Sequence, residues 1–203
     1  MKLLEVFADV ACPFTHVGFV RFDAYRLARG TAEPILSIRA WPLESVNGQA
    51  LDGPSLVPKI RAIQGGVAPE LFTGFDPGGF PATTTPALAA AAAAYRQSPE
   101  VGERFSLAVR WALFEDGLDV SDDGVLQTLR DAQGVAEPTN ADRASVHEDF
   151  LEGQRRGVVG TPHFFTADGG FFCPSLDIRH DDDGYDVSFD TVAFHRFVSA
   201  VFD

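Results

Sequence analysis

Cysteine is scarce in this chain. Only Cys12 and Cys173 occur among 203 residues. They are too few and too far apart for the disulfide framework of a small secreted domain, and neither belongs to a pair at zinc-ligand spacing. Basic residues are scarce as well. Lys and Arg total 16 against 29 Asp and Glu, a formal charge of −13, so the surface repels a phosphate backbone and nucleic acid is not an expected partner. Long apolar runs are also missing. No stretch is apolar for long enough to span a bilayer, and Glu5 and Asp9 interrupt the one N-terminal candidate for a targeting segment. The expected setting is cytoplasmic, with no membrane partner.

What is present suffices for a sizeable core. Hydrophobic residues make up 45% of the chain, enough for one domain or for a domain with a large insertion. A strand pattern covers Lys2 to Phe7, and a helix pattern runs from Pro13 to about Arg29, ended by Gly30. In "EPILSIRAWPL" the residues Leu36, Ile38 and Ala40 fall on one face of an extended chain, which predicts a second strand stopped by Pro42. From Leu51 to Pro81 glycine and proline accumulate, and the expectation is a loop-rich excursion with at most short helices.

Helical patterns follow at about Thr85 to Gln97, Pro99 to Glu115, Asp122 to Ala132 and Ala141 to Arg156, with Ser121 and Asn140 as expected caps. The alanine run Ala89 to Ala94 belongs to the first of these as a strong helix former. After Gly157 two short strands, "TPHFFTA" and "GGFFCP", are joined by the turn Asp168-Gly169-Gly170, and an amphipathic helix near Asp190 to Phe202 closes the chain. Removing the helical block leaves a small mixed sheet with helices on its faces. In it the end of the first strand, the start of the first helix and the start of the third strand can meet. Cys12 and Thr161-Pro162 occupy those places.

Cys12 stands directly before Pro13, where a helix begins. As N-cap it faces the free N–H groups of Phe14 and Thr15 and the positive end of the helix dipole, an environment that favours a thiolate and lowers the thiol pKa. Thr15 could add a hydroxyl donor to the sulfur, and it reads equally as a neutral first-turn residue. His16 reads as a solvated helix residue, four residues on from Cys12, where a charge would lie near the sulfur. A lone cysteine is often an inert core residue; the second motif, around Pro162, favours the active reading.

Together, "DVACPFT" and the distant "GVVGTPHFF" resemble the DsbA-like branch of the thioredoxin fold, over nearly the whole chain. The resemblance implies an α/β thioredoxin fold with a large all-helical insertion between the second and third strands. Residues 1–45 and 157–203 would form the thioredoxin-like part and residues 46–156 the loop-rich and helical insertion. It also implies a cis Thr161–Pro162 bond, where sequence alone favours trans because only about 5–6% of such bonds in folded proteins are cis. Thr15 stands where that family typically carries its second cysteine, so the pattern is Cys-Pro-Phe-Thr.

That departure defines the functional expectation. A thiol–disulfide oxidoreductase of this kind would use Cys12 as its single nucleophile and an external thiol for resolution. Cys12 and Thr15 are then catalytic, and Pro13, Phe14, His16, Thr161 and Pro162 bind substrate. No cofactor or metal is implied; a low-molecular-weight thiol such as glutathione or mycothiol is the expected co-substrate. The partner is a disulfide-containing protein or a small-molecule thiol, and a homodimer stays open. The alternatives are a glutathione-dependent transferase or isomerase of the kappa and 2-hydroxychromene-2-carboxylate type, or an inactive thioredoxin-fold binding module. His163 reads as a strand residue and Cys173 as a small core residue with nothing to bring it beside Cys12. The tract "RHDDDGYD" reads as a solvated loop.

Overall fold

Strand β1 (Leu3–Ala8) lies inside the sheet because both of its faces are apolar towards its end, with Val6, Phe7 and Ala8 all buried. The computed structural model describes residues 2–50, 52–182 and 184–202. Met1, Leu51, Asp183 and Asp203, which the sequence segments above include, lie outside them. Strand β2 (Ile35–Ala40) runs parallel to β1 with Leu3 opposite Ile35 and Ala8 opposite Ala40. Strand β3 (His163–Thr166) is antiparallel to β1 on its other side, and β4 (Gly169–Phe172) folds back on β3. The order is β2-β1-β3-β4.

Helix α1 (Pro13–Ala28) links β1 to β2 and ends at Gly30, whose φ of +69° is a left-handed conformation that suits glycine. Helix α8 (Thr191–Phe202) packs beside it. Phe19 and Phe22 of α1 meet Phe197 and Val201 of α8 over Leu4, Val6 and Phe164. The opposite face carries Phe7 and Trp41, covered by Phe150.

The chain between β2 and β3 is helical: α2 (Leu43–Asn47), α3 (Gly53–Gly66), α4 (Thr85–Gln97), α5 (Pro99–Phe114), α6 (Asp123–Gln133) and α7 (Asn140–Arg155). The caps lie one residue from the expected ones. Asp122, not Ser121, accepts from the Val125 N–H, and Thr139, not Asn140, forms a reciprocal capping box with Asp142. The larger correction is α3, a helix of 14 residues in a stretch expected to be loop-rich. Asp52 caps it, Pro54 sits harmlessly in the first turn, and Leu56, Ile60 and Ile63 bury one helical face. That burial outweighs the one hydrogen bond lost at Pro58.

A second correction concerns the acidic tract near the C-terminus. The segment expected as a solvated loop is a hairpin of β5 (Leu176–Asp181) and β6 (Gly184–Phe189), a separate two-stranded sheet. Val187 is buried and its carbonyl lies 2.0 Å from where a Cβ on Gly66 would stand, so only glycine lets α3 approach this closely. Charged side chains such as Arg179 and Asp177 pair on the outside at 2.7 Å.

The helices hold the sheet by its open edge. Along β2 the Leu36 N–H donates to Glu103 of α5 (2.8 Å), the Ile38 N–H to the Tyr95 hydroxyl of α4 (3.0 Å) and the Ala40 N–H to Asp149 of α7 (2.9 Å). Tyr95 also donates back to the Leu36 carbonyl at 2.7 Å. An edge that would otherwise expose a row of unpaired groups is thereby closed. Among the described residues no helix is long and apolar enough to cross a membrane. Removing the Tyr95 hydroxyl leaves two backbone groups without this partner, so Tyr95→Phe should destabilise the fold by about 1–3 kcal/mol in denaturant unfolding. An unchanged midpoint would show that the edge is not held this way.

Candidate active site

Cys12 is the N-cap of α1 (φ −85°, ψ 113°) and Pro13 is its first residue. Proline is at home there because the N–H it lacks has no partner within the helix. The sulfur makes no capping hydrogen bond. The thiol donates instead to the Thr161 carbonyl, with Sγ···O at 3.2 Å. The Thr161–Pro162 bond is cis, and the two distant motifs therefore meet at the sulfur.

The expected low thiol pKa is corrected by the environment. Cys12 is only 3% exposed. Burial pushes its pKa above the ordinary thiol value; the Thr15 hydroxyl and N–H oppose the rise, the Asp9 charge adds to it, and the Phe14 N–H opposes it. Thr15 is fully buried, and its hydroxyl lies 2.8 Å from that of Thr161. The Thr161 oxygen accepts the Asp9 N–H at 3.0 Å. With Thr161 donating to Thr15, the Thr15 proton is free to turn towards the sulfur.

The family of DSBA-like thioredoxin domains matches residues 3–180. The chain belongs to that family. Solved structures agree on the fold. A 2-hydroxychromene-2-carboxylate isomerase is 14% identical with a TM-score of 0.60, the alignment covering 84% of this chain and 88% of that one. The cytosolic disulfide reductase DsbM from Pseudomonas aeruginosa, with GSH, is 16% identical with a TM-score of 0.60, covering 83% and 87%. Another structure of DsbM is 17% identical with a TM-score of 0.57, covering 93% and 89%. Among curated proteins none matches by sequence.

Other residues of this DSBA-like domain fall less simply. Phe14 is half-buried, whereas Pro13, Thr161 and Pro162 are buried. His16 is corrected from a solvated residue to a buried one, 3% exposed, with Nε2 at 2.9 Å from the Glu115 carboxylate and its ring against Phe72 and Phe114. His163 is a strand residue as expected, and its Nδ1 accepts the Val159 N–H at 3.3 Å. Cys173 is buried as expected, yet its N–H donates to the Pro162 carbonyl at 2.9 Å, which brings it to the same loop as Cys12. Both thiols are free.

Sequence reasoning missed Asp9 as a site residue, although a carboxylate at the apolar end of a strand signals a buried role. Arg110 of α5, buried with a guanidinium nitrogen donating to the Asp9 carbonyl at 3.3 Å, was missed too, with no local signal to find it. Because burial raises both thiols, Cys173 with further help from the nearby Cys12, the two should alkylate slowly at neutral pH. Iodoacetamide labelling of Cys12 should rise with an inflection above the ordinary thiol value of about 8.5. A midpoint below that value would overturn the burial argument.

Proposed function

We propose that this protein is a thiol–disulfide oxidoreductase with Cys12 as its single nucleophile and a separate low-molecular-weight thiol, glutathione or mycothiol, as resolving partner. One observation carries the reading. The Cys12 thiol sits at the start of α1 against the backbone of the Thr161–Pro162 loop, with the Thr15 hydroxyl in place of a second thiol one helical turn on. Phe14, half-buried beside the sulfur, with Pro13, Thr161 and Pro162, would bound the substrate, and His16 would support them through Glu115.

Cys12 releases its proton to water and the thiolate attacks a substrate disulfide. A bond from Cys12 to one substrate sulfur forms, the disulfide breaks, and the other sulfur leaves as a thiolate that is then protonated. The external thiolate attacks the substrate sulfur of this mixed disulfide and Cys12 departs, so one disulfide is exchanged for another without net electron loss. A second external thiol completes reduction of the substrate and is oxidised in its place. That a structural neighbour is a cytosolic disulfide reductase holding GSH supports glutathione as this thiol. A thiol-rich cytoplasm would supply it.

The neutral state of the Cys12 thiol favours a second reading. As an S–H donor it could hold the sulfur of bound glutathione, as a hydroxyl would in a transferase or isomerase. Incubation with glutathione disulfide separates the two: one glutathione adduct is expected by intact mass, absent in Cys12→Ser. Thr15→Cys should lower the dependence of disulfide reduction on added glutathione by about tenfold or more, since an intramolecular step replaces a bimolecular one. Turnover of a chromogenic transferase substrate without an adduct would move the second reading ahead. No adduct, with no gain in Thr15→Cys, would falsify the redox reading.

A further inference from the structure

The sheet that contains β1 has two edges, and only one of them is closed. Along β2 the side chains of Glu103, Tyr95 and Asp149 take the outward N–H groups. The other edge is β4, where Gly169, Gly170 and Phe172 are exposed. The Cys173 N–H donates back to the Pro162 carbonyl at 2.9 Å, and Phe171 stands opposite Phe164. Antiparallel pairing alternates, so Gly169, Phe171 and Cys173 bond towards β3 while Gly170 and Phe172 turn their N–H and C=O groups outward. Among the described residues these outward groups meet no protein partner. An edge left in this state is a template for another strand, and natural proteins usually cover or charge it.

The flank of the open edge carries charges of both signs. A groove between β4 and α8 is lined by Asp168, Phe171, Pro174, Ala193 and Arg196. Asp168 and Arg196 are exposed, and among the described residues neither forms an ion pair. Antiparallel pairing of β4 with β4 of a second copy, about a two-fold axis at Phe171, sets Gly170 opposite Phe172 of that copy. Each then exchanges both backbone hydrogen bonds with the other. The same register sets Asp168 opposite Pro174 of the second copy, the residue that shares its groove with Arg196. Each copy's acid therefore faces the other's base. Phe171 meets its own copy at the closely spaced position, and Phe172, 50% exposed, is covered.

We infer that β4 is a dimerisation strand, through which two copies of this chain join edge to edge into one continuous sheet. A second copy is the occupant because the edge matches itself in both backbone and charge. The inference is independent of the thiol reading, since its readouts are mass and amide exchange. Sedimentation velocity over a dilution series tests it, together with hydrogen exchange by NMR. The expected result is a reversible dimer in which the Gly170 and Phe172 amides exchange more slowly than in dilute, monomeric protein. Phe172→Pro, which deletes an outward N–H that β3 does not use, should be monomeric. If that variant does not fold, Phe172→Lys serves in its place. Asp168→Lys and Arg196→Glu should each weaken association about tenfold or more by setting like charges together, and the double exchange should restore it. Purified protein that stays monomeric at every concentration, as it would if the edge served a strand of another protein, overturns the inference. So does a dimer indifferent to the folded residue-172 variant, a double exchange no stronger than its single variants, or unchanged exchange of the two amides.

Discussion

The Asp9 carboxylate is fully buried and accepts hydrogen bonds from the N–H groups of Ala11 (2.7 Å) and Leu43 (2.5 Å) and from the Thr84 hydroxyl (3.2 Å). Its own N–H donates to Thr161 and its carbonyl accepts from Arg110. One residue thus ties the end of β1 to the turn before Cys12, to the starts of α2 and α4, to α5 and to the cis-proline loop. Burial of a charged group is unfavourable, and it raises the Asp9 pKa despite those hydrogen bonds. The arrangement persists because each donor lacks another partner when Asp9 is removed.

The same burial governs the chemistry of Cys12. A helix N-terminus favours an adjacent anion by about 0.3–1 kcal/mol, up to about 2 in partly buried geometries. Removing an ion from water costs several kcal/mol even after the protein relaxes. For a sulfur this deeply enclosed, beside the Asp9 charge, desolvation wins and the resting group is a thiol. The Thr161 carbonyl accepts its hydrogen bond, and the Thr15 hydroxyl with the Thr15 and Phe14 N–H groups stands ready to stabilise the thiolate once that bond is exchanged.

Closure of the β2 edge explains how so much helix can be carried between two strands of a small sheet. Glu103, Tyr95 and Asp149 come from three different helices and each satisfies a backbone N–H that would otherwise face solvent. The contact is therefore made with backbone as well as through apolar packing. It leaves space between the edge and the helices, with Arg110 of α5 among the residues around it.

Local pattern in the sequence determined the strands, the long helices and the Cys-Pro helix start, because periodicity, capping and proline geometry act within a few residues of one another. Thr15 in place of a second cysteine was likewise legible directly. Helix α3 was obscured where glycine and proline outweighed the spacing of Leu56, Ile60 and Ile63, and the hairpin of β5 and β6 where an acidic run masked the alternation of Leu176, Ile178 and Val187. Only tertiary structure decided the state of the thiol, the burial of His16 with Glu115, the approach of Cys173 to the Pro162 loop and the burial of Arg110 beside Asp9. The helix dipole at Cys12 is a local property of its sequence; the loss of water around it is made by Thr161 and other residues distant in the chain, and no pattern near residue 12 records it.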